Sequence, residues 1–77
     1  MGLTKAEADF LKRIGRNIKV IREKKGITQK ELADLCDFEK PSMNRLEAGR
    51  TNVTAKTLLK IAKALHVDPS DLTRNKG

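Results

Sequence analysis

With 77 residues, no Trp or Tyr and two Phe, the chain has room for one small domain around an aliphatic core. Charged residues make up 35% of it and the formal net charge is +7, a balance that suits a polyanionic partner, either nucleic acid or an acidic membrane surface. A single cysteine, Cys36, excludes an intrachain disulfide, and no stretch reads as a membrane span or secretory leader, so the protein is expected in the cytoplasm or on a bacterial nucleoid.

Five helical segments follow in order, with nothing that reads as a strand. The first opens at "TKAE", where Thr4 and Glu7 have the spacing of a capping box. Phe10, Leu11, Ile14, Ile18 and Ile21 then recur at helical spacing, with Lys12, Arg13, Arg16 and Lys19 opposite them. Val20 falls on the polar side. Gly26 makes the stop, because glycine enters the left-handed region without a Cβ clash.

The second helix opens with another capping box, "TQKE" at Thr28 to Glu31, and runs to about Cys36. Leu32, Ala33 and Cys36 form its apolar face, where the thiol acts as a small hydrophobe. Asp37 occupies the turn and Phe38 is the apolar residue within it. The third helix starts at Glu39 or Lys40, since Pro41 is tolerated only in a first turn, where its missing N–H has no partner to lose. Met43 and Leu46 face inward, and Gly49 ends the helix. Thr54 is the expected N-cap of the fourth helix, in which Leu58, Ile61, Ala62 and Leu65 share a face, with His66 at its end. In "DPSDL", Asp68 caps a last short helix with Pro69 at its first position and Leu72 as its anchor.

Two short helices joined by a tight turn, both with apolar inward positions, form the helix-turn-helix pattern. Its second helix stands clear and can enter the major groove of DNA. At this point the chain resembles the phage-repressor-like (Cro-type) helix-turn-helix regulators over about residues 10 to 72. The stretches that carry the likeness are "IGRNIKVIREKKGITQKELADLC" and "NRLEAGRTNVTAKTLLKIAKALHVDPSDL". The resemblance implies an all-α, five-helix lambda-repressor-like domain that binds operator DNA as a homodimer. On that basis residues 1–9 extend the first helix, residues 10–73 form the DNA-binding domain and residues 74–77 are a polar tail.

The same resemblance assigns Gln29 to bracing a phosphate and the first recognition residue. It assigns Lys40, Ser42, Asn44 and Arg45 to the groove, and Arg22 and Glu47 to a structural ion pair. Three positions depart from the family pattern. Asp37 and His66 stand where glycine is usual; both residue types tolerate the left-handed region, Asp37 at a cost of about 1 kcal/mol. Pro41 stands where a polar contact residue is common, so readout has to shift to its neighbours.

The side-chain chemistry fits DNA on its own terms. The planar fork of Arg45 matches guanine O6 and N7. Asn44 matches adenine N6 and N7, or is a spectator lying too far round the helix. Lys40 reaches guanine or a phosphate, and Ser42 a phosphate or a base edge. Thr28 with the free N–H groups of its helix suits a phosphate oxygen, and Arg50 the backbone. One His and one Cys leave no metal-ligand set, no nucleophilic triad and no cofactor site, so an enzyme is not expected.

Two functions remain. One is a transcription regulator, a repressor acting as a homodimer on a palindromic double-stranded operator. The other is a protein-interaction module, such as an antitoxin docking on a toxin or on the transcription machinery. A dimer surface is expected around His66, Val67 and Leu72, with Leu72 dividing its surface between core and interface. Leu3, Phe10 and Leu11 add apolar area to it, or Phe10 and Leu11 cap the core of their own chain.

Overall fold

In a computed structural model that describes residues 2–75, the helices are α1 (Lys5–Lys24), α2 (Gln29–Leu35), α3 (Lys40–Glu47), α4 (Ala55–Leu65) and α5 (Ser70–Thr73). No strand occurs among the described residues. Part of the expected polar tail, Lys76 and Gly77, lies outside them, as does Met1.

Three of the helices begin on a threonine whose hydroxyl accepts an N–H three residues on. Thr4 and Thr28 complete full capping boxes with Glu7 and Glu31, and Thr54 caps Thr57. Each cap satisfies one or two N–H groups that the helix itself leaves without partners. At α5, Pro69 already has helical dihedrals and Asp68 Oδ1 accepts the Ser70 N–H at 2.9 Å.

The other helix ends share one closure. Gly26, Asp37, Gly49 and His66 all have φ between 58° and 73°. In each case the next residue's N–H returns to a carbonyl five residues earlier: Ile27 to Arg22, Phe38 to Ala33, Arg50 to Arg45 and Val67 to Ala62. This turn usually places an apolar residue just past the helix against its last turn. Ile27, Phe38 and Val67 do that, packing on the core. Arg50 holds the equivalent place after α3 and is exposed.

The core is aliphatic: Ile14, Ile18, Leu32, Ala33, Cys36, Met43, Leu46, Ile61, Ala62, Leu65 and Leu72. Burial raises the Cys36 thiol above its ordinary range, which keeps it protonated and inert. Leu72 is fully buried in its own chain, so the expectation that it divides its surface with a second copy is corrected. The physical reason is Asn17, buried on α1, whose Nδ2 donates to the carbonyls of Leu72 at 3.0 Å and Arg74 at 2.8 Å. Those bonds fasten α5 onto α1. Leu11 is buried, whereas Phe10 is exposed with the Arg13 guanidinium 5.2 Å above its ring.

α1 and α3 cross in near contact at Gly15. A Cβ there would lie 2.5 Å from the Glu47 carbonyl oxygen and 2.6 Å from that of Leu46. The absence of a side chain on α1 therefore sets how deep α3 sits, and so what its other face presents.

Candidate nucleic-acid interface

α3 divides by its own periodicity. Met43, Leu46 and Glu47 are buried against the rest of the domain. Lys40, Pro41, Asn44 and Arg45 are exposed and line one shallow concavity together. Asn44 is thus on the same face as Arg45 and not behind it. Ser42 is half-buried on the flank, in a depression shared with Phe38, Thr51, Asn52 and Thr57, and its Oγ lies 3.4 Å from Arg45 Nη2.

The start of α3 is unusual. Its N-cap, Glu39, makes no side-chain cap bond, and no acidic residue occupies its first turn. Lys40, the first residue, instead adds a positive charge to the positive end of the helix dipole. That placement costs stability, offset in part by the Glu39 carboxylate one residue before it. Pro41 fits because it has no N–H to lose at this position.

Behind the exposed face lies a connected polar group. Arg22 Nε donates to Glu47 Oε2 at 2.7 Å and Arg22 Nη2 to Glu47 Oε1 at 3.1 Å, a two-pronged pair with residue exposures of 8% and 9%. The bond to Glu47, more than any other influence, raises the Arg22 pKa above its ordinary value. Arg22 Nη1 also donates to the Ile27 carbonyl at 2.8 Å. Gln29 Nε2 donates to Glu47 Oε1 at 3.0 Å, and Asn44 Nδ2 lies 3.5 Å from Gln29 Oε1. Gln29 is therefore tied to Glu47 and Asn44, on the inner side and middle of α3. It has no bond to Lys40, the first residue of that helix.

Thr28 Oγ1 is occupied as an acceptor by the Glu31 N–H, and its own N–H is taken by Glu31 Oε1 at 2.7 Å. What remains at Thr28 is the hydroxyl hydrogen. The backbone bond from Thr28 holds the Glu31 carboxyl below its usual range. Arg50 emerges from the closure after α3, next to Gly49, where an added Cβ would meet Lys12 at 2.8 Å. Among the described residues no group of His, Cys, Asp and Glu side chains is placed to hold a metal ion, and no helix is long and apolar enough to cross a membrane.

The geometry agrees with what similar proteins are. The helix-turn-helix family model HTH_3 matches residues 18–72. An HTH-type transcriptional regulator of Sinorhizobium fredii, y4dJ, is 38% identical over 64 residues, covering 83% of each chain. The control protein C.BamHI of Bacillus amyloliquefaciens is 37% identical over 59 residues, 75% of this chain and 73% of that one. Among solved structures, the restriction-modification controller protein C.AhdI of Aeromonas hydrophila superimposes with a TM-score of 0.78 at 34% identity, covering 84% of this chain and 97% of its own. The hypothetical transcription factor NHTF from Neisseria reaches a TM-score of 0.84 at 28% identity, covering 91% of this chain and 79% of its own. The chain is a member of the Cro-like helix-turn-helix family of DNA-binding transcriptional regulators and is not an enzyme.

Proposed function

We propose that the protein is a sequence-specific repressor that reads the major groove of double-stranded DNA with α3 and binds a palindromic operator as a homodimer. The observation that carries this is the exposed face of α3. Lys40, Asn44 and Arg45 project from a helix whose opposite face is buried, with no acidic side chain in its first turn. Arg45 reads guanine through O6 and N7, and Asn44 reads adenine. The Pro41 ring, apolar and outward, suits a thymine methyl. Lys40, Thr28, Gln29 and Arg50 hold phosphates, and Ser42 steadies Arg45 from the flank. Occupying an operator blocks other proteins from that DNA, so repression is the direct consequence. Likeness to the C.AhdI controller supports a place in the control of a restriction–modification operon, in the bacterial cytoplasm and on the nucleoid.

A protein-docking surface of the antitoxin kind would draw its affinity from aromatic or aliphatic anchors. The outward residues of α3 are cationic and amide instead, which favours DNA. A binding selection from random duplexes tests the reading. The expected result is an enriched palindrome with half-sites about one DNA turn apart. Recovery of no common sequence at low salt would overturn it.

A further inference from the structure

Glu47 accepts from Arg22 on both carboxylate oxygens and from Gln29 on Oε1. A carboxylate held by a guanidinium is ionised, and an ionised carboxylate only accepts. The amide beside it must turn its NH₂ group inward, and Gln29 does so. The Gln29 carbonyl oxygen is thereby turned toward Asn44, and it too only accepts. Asn44 answers with Nδ2. One buried charge has set the direction of two amides in series.

Asn44 then has its carbonyl oxygen and its second N–H left to offer, side by side on one planar group in the concavity with Lys40, Pro41 and Arg45. In the major groove adenine presents a donor at N6 beside an acceptor at N7, whereas guanine presents two acceptors. The arrangement complements adenine and mismatches guanine.

We infer that the Arg22–Glu47 pair sets base preference as well as joining two helices: Glu47, acting through Gln29 as a second positioning residue, orients the Asn44 amide to select adenine at one position of each half-site. This rests on the DNA-reading function proposed above, and it makes the interior of the domain part of its specificity.

Binding selections with the wild type and three variants test it. Wild type should prefer adenine over guanine at one position by about tenfold, and Asn44→Ala should lose that preference at that position alone. Gln29→Met keeps the length of the side chain and removes its polarity. Whatever affinity it loses on all duplexes alike, the adenine preference at the Asn44 position should fall to within about twofold of guanine. Glu47→Gln removes the single direction of the series. Its amide can set either its carbonyl or its NH₂ group against Gln29 while still accepting from Arg22, so Gln29 and Asn44 are no longer held one way round and the adenine preference should weaken.

A merely structural role would lower affinity for every duplex in proportion and move no base preference. If Glu47→Gln does not fold, Gln29→Met, altered at a half-buried position on the surface of α2, decides alone. An adenine preference unmoved by Gln29→Met overturns the inference and leaves the DNA reading standing, as does an Asn44→Ala selection identical to wild type. Failure of wild-type protein to enrich any sequence overturns the DNA reading, and this inference with it.

Discussion

One methyl group at Gly15 would lie 2.5 and 2.6 Å from two backbone carbonyl oxygens of α3, well inside contact distance, with no flexible atom to yield. Gly15→Ala should therefore destabilise by about 1–3 kcal/mol, although alanine is the better helix former. A denaturant midpoint that rises instead would show that α1 and α3 can separate without cost. The reverse change applies at Asp37, which holds φ at 61° and sets a negative charge at the negative end of α2. Asp37→Gly relieves both and should raise the melting temperature, the net gain being about 0.5–1 kcal/mol after the greater freedom of glycine in the unfolded chain. Glu47→Ala leaves the buried Arg22 guanidinium with the Ile27 carbonyl and a 3.9 Å contact to the exposed Glu23 carboxylate, and should cost about 3–5 kcal/mol. Glu31→Ala and Glu39→Ala, at exposed positions, serve as controls, and equal losses from all three would contradict the burial of the pair. These residues differ in how far the sequence discloses them. Asp37 stands in a gap between two periodic segments, so its turn is legible locally. The partners of Arg22 and Asn17 lie 25 and 55 positions away, and no local pattern links them. Gly15 had a usable signal: a glycine inside a strongly amphipathic helix costs about 1 kcal/mol and so implies a close approach.

Elements were the more readable level, because caps and stops act within four residues. Thr4, Thr28 and Thr54 start helices and Gly26 and Gly49 end them by the same short-range hydrogen-bond arithmetic that marks them in the sequence. The direction of each side chain on α3 was less readable. The resemblance puts Ser42 in the groove, but it sits on the flank beside Thr51 and Asn52 of the connection and Thr57 in the first turn of α4, and Asn44 faces out with Arg45. The weak start of α3 gives this element its own prediction. Lys40→Glu improves the charge at the helix N-terminus and should leave stability unchanged or raise it by about 0.3–1 kcal/mol. The same change should abolish DNA binding by placing an anion against a phosphate. Melting curves and duplex titrations on one sample separate the two effects, and a variant that still binds would remove Lys40 from the interface. Acid exposes the caps. The Glu31 carboxyl is held low by its bonds from Thr28, and the Asp68 carboxyl by the Ser70 N–H. A depressed folded-state pKa stabilises the fold at neutral pH, and that contribution vanishes as pH falls through the lowered values. Glu31→Gln should make acid unfolding less steep; an unchanged acid limb would mean that the box adds nothing to stability.

At the scale of the whole molecule, seventeen basic residues against ten acidic ones give a net charge of +7, and position decides what that charge does. Lys5, Lys30 and Arg74 are paired with neighbouring carboxylates and Arg22 with Glu47, whereas Lys40, Arg45 and Arg50, along α3 and its exit, have no ion pair among the described residues. One such helix reads only a few base pairs, too few to stand out against the competing sites of a genome. Two copies related by a dyad read half-sites about 34–36 Å apart. Salt dependence can count those copies. Each phosphate neutralised by a basic side chain releases counterions, so the slope of log K against log salt concentration is about −0.9 for each such Lys or Arg contact. With Lys40 and Arg50 on the backbone, one protomer on a half-site should give a slope of about −2, and a dimer on the palindrome about −4. Titrating duplexes that hold one half-site or two, with sedimentation to fix the stoichiometry, measures both. A doubled slope with two chains per palindrome, and an affinity well above that for the half-site, is the expected outcome. Equal slopes, with one chain on either duplex, would show that the protein acts as a monomer.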